Sequence, residues 1–286
     1  MATLVHCDGR LLPPEQALVP VFDRSFLYGD SVYETLRTYR GVPFDLPRHL
    51  ARLGVSLSRL RIDPGVAPGE IARRVHETVA AADNPESSVR IIVSRGTGDY
   101  GLANFAGLKG AVYVIARPFA PLTDDAVRRG ISIVLAKTRR VAKNALDPAI
   151  KSGNYLNSLL GLMEARDAGA DDAVFLNERD FLTEASTSSL FLVKDGVVQT
   201  PPVSAGILEG VTRFHAIEAA REAGIPVEER DLTEAELRGA DEIFVTSTLK
   251  EVLGVRSLDG RALRDAPGPV TARMRALLLA RIARGC

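Results

Sequence analysis

Segments with β-strand periodicity alternate with segments of helical periodicity along nearly the whole chain, and one aperiodic stretch divides the series. That stretch, PFAPLTDD at 118–125, contains two prolines and no repeated apolar spacing, which is typical of a linker. Strands and helices on both sides of it predict an α+β protein of two domains. We expect a small N-terminal α/β domain at 1–117 and a larger C-terminal α/β domain at 126–286.

The expected strands are rich in β-branched residues, whereas the expected helices repeat apolar residues every three or four positions. The strands are predicted at 2–7, 31–44 with a turn at Arg40-Gly41, 88–95, 111–117, 131–136, 172–176, 181–184, 189–193, 242–247 and 252–258. The helices are predicted at 47–60, 69–82, 154–168, 211–223 and 269–284.

Charge and cysteine content exclude several classes of function. The 286 residues include 36 basic and 36 acidic side chains, so no net field attracts the chain to nucleic acid. Cys7 and Cys286 lie at opposite ends without a Cys/His grouping, which favours free thiols over a disulfide or a metal site. The first residues lack a basic segment followed by a long apolar run, so we expect a cytoplasmic protein with no membrane partner.

Primary amines are scarce, because only six of the 36 basic residues are lysines. One of them, Lys151, stands where a loop enters an amphipathic helix, with apolar residues on one side and Asn154 and Tyr155 on the other. Partial burial near a phenol is a setting in which a lysine becomes an imine-forming nucleophile. The competing interpretation is a surface lysine at the start of a helix.

Glu184 is the one carboxylate of FLTEASTSSLFLV, where it lies between strand-like apolar runs and is followed by small hydroxyl residues. A buried carboxylate is costly without a cation or a charge-assisted donor. Glu184 therefore either faces solvent at the end of a strand or meets a specific partner such as a protonated ring nitrogen.

Two segments have features of an anion site, and each also has an ordinary interpretation, since every helix has an N-terminus and threonine is a good strand former. In SAGILEGVTRF, glycines precede a helix whose first amides, at Val211 and Thr212, point beyond its N-terminus together with the Thr212 hydroxyl. In DEIFVTSTLKEV, a strand leads into the hydroxyls of residues 246–248. Arg52 flanks the apolar stripe of its helix and could complete a phosphate clamp, or it lies at the rim of that helix.

Arg90 lies in the apolar strand SVRIIVSR, where it is either an edge residue or the partner of a carboxylate. The sequence RGTGDYG at 95–101 contains one GxG without a following helix, so a dinucleotide fingerprint is excluded and a flexible loop is favoured. The four histidines show no metal-ligand or triad spacing and are interpreted as packing or surface residues.

Together these segments resemble, in order and spacing, the class IV aminotransferases, which include branched-chain and D-amino-acid aminotransferases and aminodeoxychorismate lyase. The matching blocks are FLYGDSVYETLRTY (26–39), RHLARLGVS (48–56), KSGNYLNSLL (151–160), FLTEASTSSLFLV (181–193), LEGVTR (208–213) and ADEIFVTSTLKEV (240–252). The resemblance implies the two-domain pyridoxal-phosphate fold type IV (D-amino-acid aminotransferase-like), amino-group transfer between an amino acid and a 2-oxo acid, and a homodimer with its active site at the subunit interface.

The resemblance also implies roles for individual residues. Lys151, in the expected C-terminal domain, would form the Schiff base with pyridoxal 5'-phosphate, and Glu184 would pair with the ring nitrogen. Tyr155 would hydrogen-bond the ring hydroxyl. The phosphate would be held by the remaining cofactor-binding residues, which are Arg52, Val211, Thr212, Ser247 and Thr248.

The resemblance leaves the substrate open. Positions that shape the pocket in the family are occupied here by Tyr28, Tyr33, Thr35, Arg37, Arg90, Tyr100 and Leu249. The pair Arg37 and Arg90 favours a branched-chain pocket, although Thr35 replaces a usual glycine. The D-amino-acid enzymes carry an Arg-x-His carboxylate trap that is missing here, so such an enzyme would have to use Arg90 with Arg24.

Two further alternatives are less favoured. An aminodeoxychorismate lyase usually has lysine at the Arg90 position. A non-catalytic or regulatory protein on the same fold does not need Lys151, Glu184 and Tyr155, which are all present.

Overall fold

A computed structural model describes residues 1–264 and 266–285, and its contacts divide the chain into two compact units. The first unit contains residues 1–120 and 150–154 together with Gly285, and the second contains the described residues of 121–149 and 155–284. Cys286, one of the two expected free thiols, lies outside the described residues.

In the described part of the first unit, six antiparallel strands form one sheet in the order β2-β1-β6-β5-β3-β4. The elements are β1 (Leu4–Cys7), β2 (Arg10–Leu12), α1 (Arg24–Tyr28), β3 (Ser31–Tyr39), β4 (Val42–Pro43), α2 (Leu46–Leu60), α3 (Pro68–Ala82), β5 (Ser87–Ser94) and β6 (Ala111–Pro118), with a 3-10 helix at Pro14–Gln16.

The side chains of β3 alternate between the two faces of this sheet, one covered by helices and the other facing away from them. Val32 and Leu36 belong to the core that the sheet forms with α2 and α3. Successive side chains of a strand point to opposite faces, so Tyr33, Thr35 and Arg37 lie on the face away from the helices.

The 150–154 segment groups with the first unit because it hydrogen-bonds to β3. Tyr33 N donates to Lys151 O at 2.9 Å, and Gly153 N donates to Ser31 O at 2.8 Å. A bridge between Val32 and Ser152 continues the pairing. The sequence assigns Lys151 to the C-terminal domain, whereas its backbone is fixed by strand pairing within the first unit.

The second unit is built on a mixed sheet that, among the described residues, has nine strands in the order β12-β11-β10-β13-β14-β7-β8-β9, with β15 beside β14. The elements are α4 (Asp124–Arg129), β7 (Ile131–Leu135), α5 (Leu156–Asp167), β8 (Asp172–Leu176), β9 (Leu182–Ala185), β10 (Ser189–Lys194), β11 (Val197–Thr200), α6 (Val211–Glu222), β12 (Val227–Glu229), α7 (Glu234–Gly239), β13 (Glu242–Ser247), β14 (Glu251–Leu258), β15 (Arg261–Ala262) and α8 (Pro269–Gly285), with a 3-10 helix at Val203–Ala205. The last strand, β9, pairs back to β10 at Glu184 and Ser189, so the sheet closes on itself at Glu184.

The sequence predicts the long helices and strands to within about two residues, and it misses the short elements. Helix α1 has five residues and α4 has six, too few to show a repeated apolar spacing. Each is defined by a cap instead, since Asp23 accepts from Ser25 N and Thr123 accepts from Ala126 N. Helix α4 begins at Asp124, inside the stretch that the sequence assigns to a linker.

Two helical glycines make a matched test of the packing. A Cβ at Gly161 in α5 would lie 2.3 Å from Cζ of the fully buried Phe175, whereas a Cβ at Gly54 in α2 would meet nothing within 4 Å. We expect Gly161→Ala to lower the free energy of unfolding by roughly 1–3 kcal/mol through overpacking. Gly54→Ala should raise it by about 1 kcal/mol. Urea unfolding of both variants measures the difference, and equal effects would contradict the close contact at Gly161.

Candidate active site

Lys151 is held at its backbone and at its amine. Nζ donates to the Tyr33 hydroxyl at 3.0 Å and lies 4.3 Å from the centre of the Tyr33 ring. Lys151 N donates to Ser56 Oγ of helix α2 at 3.1 Å. The half-buried amine is therefore fixed beside a phenol, and that phenol belongs to β3.

Arg90 lies beside Tyr33 on the same face of the sheet. It is the register partner of Thr35, and its guanidinium carbon lies 4.1 Å from the centre of the Tyr33 ring. The interpretation of Arg90 as an edge residue is wrong, because β5 lies between β3 and β6. Arg37 also lies on this face, where its guanidinium contacts the rings of Tyr39 and Phe119.

The opposite face of β3 carries a buried charged cluster that consists of Glu34, His49 and Arg52. Arg52 donates from Nε to Glu34 Oε1 at 2.8 Å and from Nη2 to Oε2 at 2.7 Å, and His49 Nδ1 lies 2.8 Å from Oε2. Burial raises the pKa of Glu34, but the hydrogen bonds from Arg52 and His49 outweigh it and lower that pKa to about 2.

Sequence reasoning does not identify two members of this cluster. It overlooks Glu34 and interprets His49 as a packing or surface residue. The signal is the alternation of β3, which places Glu34 between Val32 and Leu36 on the buried face. A carboxylate there requires a cation on the covering helix, and the spacing of His49 and Arg52 places both on one side of α2.

Arg24 and Tyr28 hold the loop that follows β5. The buried Arg24 guanidinium donates to Asp30 and to the carbonyl oxygens of three loop residues, Gly101, Leu102 and Asn104. The Tyr28 hydroxyl accepts from Gly101 N at 3.1 Å. Tyr100, one of the predicted substrate residues, is exposed at the tip of this loop. Arg24 therefore supports the loop in this structure.

In the second unit, Glu184 is buried and held by two donors. Oε1 accepts from Arg140 Nη2 at 2.6 Å, and Oε2 accepts from Leu208 N at 3.2 Å. Arg140 is anchored in turn by Asn157 and Ser158 of helix α5. The solvent-facing alternative for Glu184 is wrong, and Arg140 is a partner that the sequence does not identify.

The start of α6 and the end of β13 adjoin. A Cβ at Gly210, the N-cap of α6, would lie 2.8 Å from Ser189 Oγ, and Ser189 is the register partner of Thr246 in β13. Glycine at this position keeps the first amides of α6 close to the strand. Among the described residues, nothing hydrogen-bonds the buried Thr246 Oγ1.

The other predicted cofactor residues of the second unit lie at the ends of elements. Val211 and Thr212 open α6, Ser247 ends β13, and Tyr155 is the residue before α5. Ser247 Oγ accepts from Lys250 N at 3.3 Å, while Thr248 and Leu249 follow in a half-buried turn. Helix amides without a capping side chain, next to hydroxyls, are suited to phosphate oxygens.

The described residues contain no group of three or more His, Cys, Asp or Glu side chains that could hold a metal ion. None of the helices in the described ranges is both long and apolar enough to cross a membrane. Cys7 is half-buried and outside any disulfide, and burial raises the pKa of its thiol. The cytoplasmic location stays a prediction.

Comparison with known proteins agrees with this geometry. The family described as amino-transferase class IV matches residues 31–258. A relative from Methanocaldococcus jannaschii is 38% identical over 95% of this chain and 93% of its own. The D-alanine aminotransferase of Bacillus licheniformis is 32% identical over 95% of this chain and 94% of its own.

A solved structure gives the same result for the fold. The branched-chain amino acid aminotransferase of Thermobaculum terrenum, solved in its PLP form, is similar with a TM-score of 0.90. It is 27% identical, and the match covers 99% of this chain and 94% of that one. The chain belongs to the class IV aminotransferases, as its sequence blocks predict, and has the fold type IV of that family.

Its activity follows from the family. The protein is a pyridoxal-phosphate-dependent transaminase, which moves an amino group between an amino acid and a 2-oxo acid. The residues present fit the cofactor. The first unit offers a fixed amine at Lys151, and the second offers a buried carboxylate at Glu184 and the uncapped start of α6.

Proposed function

We propose that this transaminase acts on branched-chain amino acids and their 2-oxo acids, with Lys151 as the catalytic lysine. The observation that carries the proposal is the arrangement of Lys151, Tyr33 and Arg90 on one face of the first sheet. In this arrangement the amine would react with the cofactor, the phenol would orient that amine, and the cation would pair with the carboxylate of an amino-acid substrate. The branched-chain name of the Thermobaculum terrenum enzyme supports the substrate class.

When bound, pyridoxal phosphate supplies a ring that accepts electrons from the α-carbon of the substrate. Lys151 attaches the cofactor and moves the proton at that carbon. The Tyr33 hydroxyl accepts a hydrogen bond from Nζ, which orients the amine. Glu184, fixed by Arg140 and Leu208 N, remains an acceptor for a protonated ring nitrogen.

The remaining roles concern binding. Tyr155 hydrogen-bonds the ring hydroxyl, and the phosphate is held by Arg52, Val211, Thr212, Ser247 and Thr248. Arg90 pairs with the substrate carboxylate, because its guanidinium is oriented by the Tyr33 ring. Tyr28, Tyr33, Tyr100 and Leu249 line the substrate side.

The role of Lys151 is tested by covalent labelling. We expect borohydride to fix pyridoxal phosphate to Lys151 of the wild-type protein and to no lysine of Lys151→Ala, which should also lose amino-group transfer. Peptide mass spectrometry locates the label, and circular dichroism checks the fold. Lys194→Ala, at an exposed ion pair with Asp241, is the matched control and should be labelled normally. A label on Lys137 or Lys143 in Lys151→Ala would contradict the assignment.

The role of Arg90 is tested by a substitution that removes its charge. Arg90→Leu should raise the apparent binding constant for leucine by about one to two orders of magnitude, the effect expected for a lost charge-assisted pair. Binding of 1-phenylethylamine, which has no carboxylate, should change little. Arg117→Leu, exposed on the neighbouring strand β6, is the control. Absorbance of the cofactor during the half-reaction measures both constants.

Two outcomes would overturn the substrate assignment. Equal weakening for the amine and the amino acid would show that Arg90 supports the fold. A half-reaction with D-alanine and none with leucine would favour the D-amino-acid alternative, which the Bacillus licheniformis relative represents.

We also propose that the chain is a homodimer, because the first unit exposes several large apolar side chains. Phe26 is 70% exposed and Leu102 69% exposed. Phe26 and Leu102 lie on two different segments of the chain. These segments are joined by the hydrogen bonds of Arg24 to the loop and by a bridge between Asp23 and Thr97. Apolar surface of this kind marks a protein interface. The apolar surface consists of Leu18, Val21, Phe22, Phe26, Leu102 and Phe105.

The second unit has a similar feature on helix α5. Four exposed apolar side chains form pairs that are three or four residues apart, so they lie on one stripe of the helix. They are Leu156, Leu159, Leu160 and Met163.

Sedimentation tests the dimer. The wild type should sediment at twice the chain mass of 30.8 kDa, whereas the double variant Phe26→Asp/Leu102→Asp should shift to the monomer mass. Charges on the apolar surface would have to be buried without partners in the dimer. Leu279→Asp, at a separate exposed position on α8, should leave the mass unchanged. A fully active wild-type monomer at assay concentration would contradict the proposal.

A further inference from the structure

We propose that Glu34 is a positioning residue for cofactor binding, which sets the orientation of Arg52 towards the phosphate and is itself held in place by His49. This inference rests on the proposed contact between Arg52 and the phosphate. It adds two residues, Glu34 and His49, that bind no cofactor themselves.

The contact between Glu34 and Arg52 fixes the guanidinium as a rigid plane. Two parallel hydrogen bonds, from Nε and Nη2 to the two carboxylate oxygens, leave the fork a single orientation. The direction of Nη1 is thereby determined. A single hydrogen bond would let the long side chain rotate about the contact.

His49 completes the arrangement from the same helix. Its Nδ1 lies 2.8 Å from Oε2 of Glu34, the oxygen that also accepts from Arg52 Nη2. His49 and Arg52 are three residues apart, so one side of α2 grips the carboxylate at two points. Ser56, one turn further, accepts from Lys151 N. Helix α2 therefore places the phosphate arginine and supports the catalytic lysine from one surface.

Two effects of Glu34 on phosphate binding oppose each other. Its negative charge offsets the charge of Arg52 and weakens the attraction of a phosphate. Its geometry aims the guanidinium, so that no orientation must be lost on binding. The Arg52 side chain is 12% exposed, which leaves it room to reorient without its partner. We expect the orientation of Arg52 to have the larger effect on phosphate binding.

The test compares pyridoxal phosphate with pyridoxal, which has no phosphate. Apoprotein is titrated with each, followed by absorbance, and 31P NMR reports the environment of bound pyridoxal phosphate. Glu34→Gln should weaken the binding of pyridoxal phosphate by about tenfold, since one charge-assisted contact is lost. The affinity for pyridoxal should not change. The 31P resonance should move towards that of the free cofactor.

Further variants separate positioning from other effects. Glu70→Gln alters a glutamate of α3 that pairs with Arg73 and Arg74, and it should change neither affinity. In an Arg52→Met background, Glu34→Gln should have no further effect on the preference for pyridoxal phosphate, because Glu34 acts through Arg52. If Glu34→Gln does not fold, His49→Leu should reduce the same preference and His49→Asn, which keeps a donor, should restore it.

Each outcome decides a different point. Tighter binding of pyridoxal phosphate to Glu34→Gln would show that Glu34 only offsets the charge of Arg52. An equal loss of affinity for pyridoxal phosphate and for pyridoxal would show that Glu34 has a structural role alone. An unchanged preference in His49→Leu would also overturn the inference. If Arg52→Met leaves the affinity for pyridoxal phosphate unchanged, the proposed phosphate contact of Arg52 fails, whereas a loss there with no effect of Glu34→Gln rejects the inference alone.

Discussion

Strand pairing between the 151–153 segment and β3 is the constraint on which the position of Lys151 depends. It fixes the Lys151 backbone against Tyr33 and Ser31, and the amine lies beside Tyr33, on the face of the sheet that also carries Arg90. A lysine on a freely moving loop would have to lose backbone conformational entropy before its amine was placed in this way. The position of the amine therefore depends on backbone hydrogen bonds, which do not require a particular neighbouring side chain.

Two buried carboxylates, one in each unit, are both paired with an arginine that offsets their loss of hydration. Glu34 is paired with Arg52 in the first unit, and Glu184 is paired with Arg140 in the second. Removing either arginine would leave a charge in an apolar setting at a cost of several kcal/mol. The planar fork of arginine suits this pairing better than the single ammonium of lysine. An arginine-rich composition is consistent with that use, and it leaves Lys151 distinct among the basic groups.

The sequence singles out the candidate site residues more readily than it identifies their partners. Lys151, Glu184 and Arg90 stand out because each is a charged residue in an apolar segment, which a single stretch of sequence displays. Arg140 and Glu34 do not, since their roles arise from contacts with residues 44 and 18 positions away. The long helices and strands show a repeat and are predicted, whereas α1 and α4 depend on one cap each and are not.

The alternation of β3 explains how one strand serves two purposes at once. Tyr33 faces the amine, and its neighbour Glu34 faces helix α2, so a shift of register by one residue would exchange the two side chains. The carboxylate would then lie beside Lys151, and the phenol would enter the core against Arg52. Seven paired positions between β3 and β5, from Ser31–Ser94 to Arg37–Ser88, oppose that shift. The placement of Tyr33 and Glu34 on opposite faces of β3 is thus a property of sheet register before it is a property of any single side chain.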